Sequence, residues 1–121
     1  MASYKELIVW QKGMRLVKLI YQITVAFPKT ELYGLVSQLR RAAVSIPSNI
    51  AEGNGRHSKS EYTHFLNIAR GSCYEIETQI IICKELGYVN SQQSKELLSL
   101  NEEIGRMLNA LIQKLSPAQP S

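Results

Sequence analysis

The chain offers few residues that could do covalent chemistry. Glu61 and His64 form a Glu-x-x-His pair, one ingredient of a di-iron carboxylate bundle. Such a site needs a second pair on another helix and two further inward glutamates. The other histidine, His57, falls in an expected loop, so the second half is missing. Glu61 reads better as a helix cap and His64 as a polar surface residue. Two histidines and two cysteines without ligand spacing give no zinc site. Nucleophilic catalysis needs an activated nucleophile, a base and an oxyanion site. The sequence has no Gly-x-Ser-x-Gly turn and no Asp at all. No catalytic residue, metal or cofactor is therefore assigned, and the chain reads as non-enzymatic.

Binding chemistry is better represented. Arg40 and Arg41 lie on the expected second helix. Arg40 flanks its apolar face. Arg41 points nearly opposite that face, beside Ser37, Ser45, Ser48 and Glu52. Small hydroxyls around one arginine suit close contact, with phosphate or with a glutamate of a neighbouring subunit such as Glu75 or Glu77. Gly53-Asn54-Gly55-Arg56 leads to a helix N-terminus near Ser58 and Lys59. Backbone N–H groups there could hold a phosphate, while a plain turn between helices is the simpler reading. It lacks a P-loop ending and a preceding strand, so nucleotide binding is not supported. Lys12, Arg15 and Lys18 lie on the polar side of the first helix and could join Arg56 and Lys59 in a basic stripe. Ordinary solvated lysines and arginines explain the same pattern.

Charge is unevenly placed. The formal net charge is +4. Residues 1–60 hold nine Lys/Arg against three Glu, a net +6. Residues 61–121 hold five against seven, a net −2. The basic half suits a polyanion or an acidic protein surface. No apolar run reaches the roughly 18 residues of a membrane span. No secretory pattern opens the chain, and a cytoplasmic location is expected. Cys73 and Cys83 fall in one expected helix, roughly 15 Å apart along its axis, too far for a disulfide. Reduced core thiols are expected.

These residues need helices to position them, and the period supplies four. The first spans about Tyr4 to Ala26, with Ser3 and Glu6 spaced as a capping box. Leu7, Trp10, Met14, Val17, Tyr21 and Thr24 form one 3-4 stripe. Val9, Gly13, Leu16, Ile20, Ile23 and Phe27 form a second beside it. Together they are wider than one small core requires, which points to a surface buried between subunits. The second helix spans about Glu31 to Glu52, with Leu32, Leu35, Leu39, Ala43, Ile46 and Ile50 inward. A kink is expected at Pro47, and Gly53 suits a left-handed C-terminal cap. The third begins near Ser58 and runs to Leu86. The fourth is capped by Asn90 or Ser91 and runs to about Leu115, before Pro117 and Pro120. The short connections force an all-α, antiparallel up-down-up-down four-helix bundle. It forms one domain over 1–116, with a flexible tail over 117–121.

The stretch QLRRAAVSIPSNIAEGNGR at 38–56 resembles the signature of a known family. So do IARGSCYEIETQI at 68–80 and the following Leu86-Gly87-Tyr88. Tyr4 to Trp10, Phe27-Pro28 and Tyr33-Gly34-Leu35 fit as well. The family is that of four-helix-bundle proteins encoded by intervening sequences in bacterial 23S ribosomal RNA genes. The resemblance implies a homo-oligomer, a pentamer, without known catalytic residues. A related accessory variability determinant of diversity-generating retroelements is a basic pentamer that associates with nucleic acid and a reverse transcriptase. Carried over, it would place nucleic-acid or partner contacts at Arg40, Arg41, Arg56 and Lys59.

Two expectations follow. One is a bacterial homo-oligomer that binds RNA or DNA through a basic surface. The other is a protein–protein scaffold whose arginines serve subunit or partner contacts, with no nucleic acid and no membrane.

Overall fold

In the computed structural model, which describes residues 3–116, four helices form the domain. They are α1 (Ile8–Thr24), α2 (Ser37–Asn54), α3 (Lys59–Glu85) and α4 (Ser91–Leu115). Among the described residues there is no strand. Each helix packs on the next, and α1 closes the ring against α4. The result is the expected antiparallel bundle. The tail expected over 117–121 lies outside the described residues.

The inward stripes carry the core. Leu16 and Ile20 of α1 meet Ala43, Ile46 and Ile50 of α2, Leu66, Ile76 and Ile80 of α3, and Ile104 and Leu108 of α4; all are buried. Burying a side chain of this size contributes about 1.5–3 kcal/mol. Asn101, buried in α4, donates from Nδ2 to the Cys73 carbonyl of α3 at 2.9 Å. Cys73 and Cys83 are unpaired, buried thiols. Burial pushes Cys73 up to about 12 and Cys83 up to about 11, the latter helped by the charge of Glu31.

Local signals fix the ends of the helices. Ser58 Oγ accepts the Glu61 amide at 3.1 Å and opens α3. Asn90 and Gln93 form a reciprocal capping box on α4. After α3, Gly87 takes φ 79°. Its amide bonds to the Lys84 carbonyl and that of Tyr88 to Cys83, a Schellman ending.

Four expectations are corrected. Ser3 caps a short 3₁₀ turn over Tyr4–Glu6, and α1 starts only at Ile8. Gly53 is not a left-handed cap: α2 continues to Asn54, and the glycine instead allows the close approach of α3, since a Cβ on it would lie 2.9 Å from both Phe65 Cβ and Tyr62 Cδ1. Helix α2 runs unbroken across Pro47, which is buried against Gly13 of α1. The break falls earlier, at Gly34, where φ is −109° and ψ is −114°. Leu32 lies before that break and is exposed rather than inward.

Candidate interaction surface

The two stripes of α1 have different fates. Val9, Gly13, Leu16 and Ile20 enter the core. Gly13 permits this approach, since a Cβ there would stand 3.3 Å from Ile46 Cγ2. The other stripe is left half-covered at the α1–α2 surface. Trp10, Met14 and Val17 line a groove there with Val44, Pro47 and Ala51 of α2. Tyr4 packs edge-on against Trp10 with ring centroids 5.4 Å apart.

Val44 joins that groove to a second depression of about 610 Å³, lined by Tyr21, Leu32, Tyr33, Ser37, Arg40 and Arg41 among others. Tyr33 stands on the turn before α2 and is 93% exposed. Sequence reasoning missed it, because the helical period was extended across Gly34. The two arginines differ sharply. The Arg40 guanidinium lies 4.5 Å from the Tyr21 ring centroid, and its Nε donates to Thr24 Oγ1 at 3.0 Å. Thr24 is buried and donates in turn to the Ile20 carbonyl at 2.6 Å. Arg40 is thus held in place at the wall of the depression. Arg41 is exposed and has no ion pair among the described residues. Between α2 and α3 the Ser72 hydroxyl donates to that of Ser45 at 2.9 Å, beside Arg41 and Glu75.

The other candidate cations do not join this surface. Lys12 is turned to α4, where it pairs with Glu103. That hydrogen bond, with the nearby charges of Lys12, Arg106 and Arg15, holds the Glu103 carboxyl below the usual range. Arg56 pairs with Glu52 at 2.6 Å and lies 4.8 Å from the Phe65 ring centroid on α3. Lys59 is exposed in the first turn of α3, and Arg15 and Lys18 are exposed on α1. Lys12 is engaged by α4, and Arg56 by Glu52 of α2 and Phe65 of α3, so these two members of the expected basic stripe are paired within the chain. Glu61 is not itself the cap of α3 that the sequence suggested: Ser58 is, its Oγ accepting the Glu61 amide at 3.1 Å, and the Glu61 carboxylate accepts only the Ser58 hydroxyl at 3.5 Å.

A second exposed apolar area lies on the outer side of α3. Ile68, Tyr74, Ile81, Ile82 and Leu86 are all exposed there. Gly71 stands among them, with nothing within 4 Å of where a Cβ would be. A mid-helix glycine costs about 1 kcal/mol relative to alanine, and no contact within the chain explains this one. The legible signal was a set of isoleucines lying off the inward stripe.

The comparisons with known proteins agree with this bundle. A model of the 23S rRNA-intervening sequence protein family matches residues 5–110. The chain belongs to that family. A solved structure shares the fold. This neighbour is a protein of unknown function from the S23 ribosomal protein family of Bacteroides thetaiotaomicron. It superposes with a TM-score of 0.80 at 23% identity, over 88% of this chain and 99% of its own. At that identity the likeness speaks for the fold alone. No curated protein matches the chain. No helix among the described residues is long and apolar enough to cross a membrane.

Proposed function

We propose that the chain is a non-enzymatic interaction module that assembles with further copies of itself through the outer face of α1 and α2. The continuous, half-covered surface from Trp10 and Val17 to the exposed Val44, Tyr21 and Tyr33 carries this reading. Contiguous apolar surface rimmed by polar groups marks an interaction site, whereas scattered apolar residues are normal. Tyr, Trp and Arg are also the residue types that dominate binding energy at interfaces. The family resemblance implies five subunits. Light scattering tests the reading: the protein runs as a multiple of 13.7 kDa, and Val44→Glu lowers that mass. A wild-type monomer at tens of micromolar would end this proposal.

RNA or another nucleic acid is the second reading. Its support is the net +6 of residues 1–60, with Arg15, Lys18, Arg41 and Lys59 exposed and outside any ion pair among the described residues. Lys12, Arg40 and Arg56 are engaged within the chain, which favours the assembly reading. Fluorescence anisotropy with a single-stranded RNA across a salt series separates the two. Affinity falling steeply with salt supports phosphate contact. No binding at low salt leaves assembly alone.

A further inference from the structure

A separate depression, of about 140 Å³, opens between α3 and α4, and neither α1 nor α2 lines it. Arg70 and Glu77 of α3 both line it, and neither has an ion pair among the described residues. Seven residues apart, they share one face of the helix and stand about 10 Å apart along its axis. The antiparallel α4 repeats the order. Asn109 lies beside Arg70, whose Nη1 donates to its Oδ1 at 2.8 Å. Arg106 and Glu102 follow, each about a turn further along, and pair with each other at 2.7 Å. The depression therefore has a basic end and an acidic end.

Two further features of this depression have no explanation within the chain. Asn101 in its wall is only 4% exposed. Its Nδ2 is satisfied by the Cys73 carbonyl at 2.9 Å, but its Oδ1 accepts no hydrogen bond among the described residues. A buried acceptor left unmatched is costly, and this one lies next in sequence to Glu102, at the acidic end. Gly105 lines the same depression in the middle of α4, where glycine is a poor helix former. A Cβ there would meet nothing within 4 Å, so a larger side chain would occupy the depression itself.

We propose that the α3–α4 depression binds a small zwitterion, the chemistry of a free α-amino acid with a short side chain. The carboxylate meets the Arg70 guanidinium through a charge-assisted hydrogen bond. The ammonium meets Glu77 at the other end, beside Asn101. An ammonium group is all donor and no acceptor, which matches an end built from a carboxylate and an unused amide oxygen. A plain anion would be attracted by Arg70 and repelled by Glu77, and a plain cation the reverse. Size narrows the class further: drug-sized ligands occupy pockets of roughly 300–1,000 Å³, so about 140 Å³ is too small for a nucleotide. The proposal goes beyond the assembly reading and does not depend on it.

The test is titration of isotope-labelled protein with L-alanine, followed by amide NMR. The signals of Asn101 and Gly105 are expected to shift and saturate. Acetate and methylammonium each carry one of the two charges and should bind roughly tenfold more weakly or worse, the loss of one charge-assisted contact. Arg70→Gln and Glu77→Gln should each weaken alanine by a similar factor, with helical circular dichroism retained. Gly105→Leu should abolish binding by filling the depression. If that variant loses its helical signal, the two glutamine variants carry the test. No saturable shift with alanine at millimolar concentrations overturns the proposal. So does either single-charge compound binding as tightly as alanine, or unchanged affinity in both glutamine variants. The oligomer mass of the wild type decides the assembly reading separately.

Discussion

Gly53 of α2 stands so close to Tyr62 of α3 that a Cβ on it would lie 2.9 Å from the ring Cδ1. The tyrosine backbone oxygen is also near, at 3.2 Å, and backbone does not yield as a flexible side-chain tip does. Gly53→Ala therefore gains helix propensity but forces the two helices apart. Overpacking of this kind costs about 1–3 kcal/mol. Gly105→Ala has open space and gains up to about 1 kcal/mol. Urea unfolding should move the two midpoints in opposite directions. A Gly53→Ala protein as stable as the wild type would mean that the helices are not held this closely.

Arg40 and Arg41 should separate stability from association. Arg40→Ala removes a hydrogen bond to buried Thr24 and a stack on Tyr21. The expected cost is about 1–3 kcal/mol of folding stability. Arg41→Ala touches no partner within the chain and should stay within about 0.5 kcal/mol of the wild type. Its effect should appear in the mass measured by light scattering. Unfolding must be followed at protein concentrations where association does not contribute, since binding to the folded state raises apparent stability.

The bundle was legible because its inward positions recur every three or four residues and its ends carry Ser58 and Asn90 at cap positions. The surplus stripe on α1 was legible for the same reason, and Trp10, Met14, Val17 and Tyr21 do remain at the surface. What escaped depends on neighbours far away in sequence. Gly53 looked like a stop signal, yet Tyr62 and Phe65 across the turn decide its role. Pro47 looked like a kink, yet Gly34 is where the backbone leaves helical geometry. Lys12, Arg15, Lys18, Arg56 and Lys59 read as a possible basic stripe by charge alone. Glu103 on α4 and Glu52 with Phe65 decide otherwise for Lys12 and Arg56.

The cysteines predict a loss of stability in alkali. An unfolded thiol ionises around 9.0, whereas folded Cys83 and Cys73 are pushed up to about 11 and about 12. Above pH 9 the unfolded state binds fewer protons than the folded one, so stability falls as pH rises. The contribution is complete below pH 9 and is lost progressively between 9 and about 11–12. Tyr88, raised chiefly by its hydrogen bond to Glu31, adds in the same direction. Folded protein should resist thiol reagents at pH 8 and react after unfolding in urea. A Cys73→Ala, Cys83→Ala variant should lose part of the alkaline slope. Rapid labelling of both thiols in the native state would contradict their burial.

Glu31 ties the turn that carries Tyr33 to the far end of α3. Its Oε2 accepts the Tyr88 hydroxyl at 2.9 Å, and its Oε1 accepts the Leu35 amide at 3.4 Å. Tyr88 in turn packs against buried Phe27, with ring centroids 5.4 Å apart. Tyr88→Phe keeps that packing and removes only the hydroxyl. A typical intramolecular hydrogen bond is worth about 0.5–1.5 kcal/mol, so global unfolding should shift by that much or less. The sharper effect is local, because the freed carboxylate no longer fixes the turn over Leu32–Val36. Amide exchange at Leu35 should quicken while the core amides of α3 and α4 keep their protection. Since Tyr33 and Leu32 lie on that turn and line the α1–α2 depression, association should weaken with it. Faster exchange at Leu35 with unchanged assembly would separate the turn from the interface and place the contact lower on the face, around Trp10 and Val17.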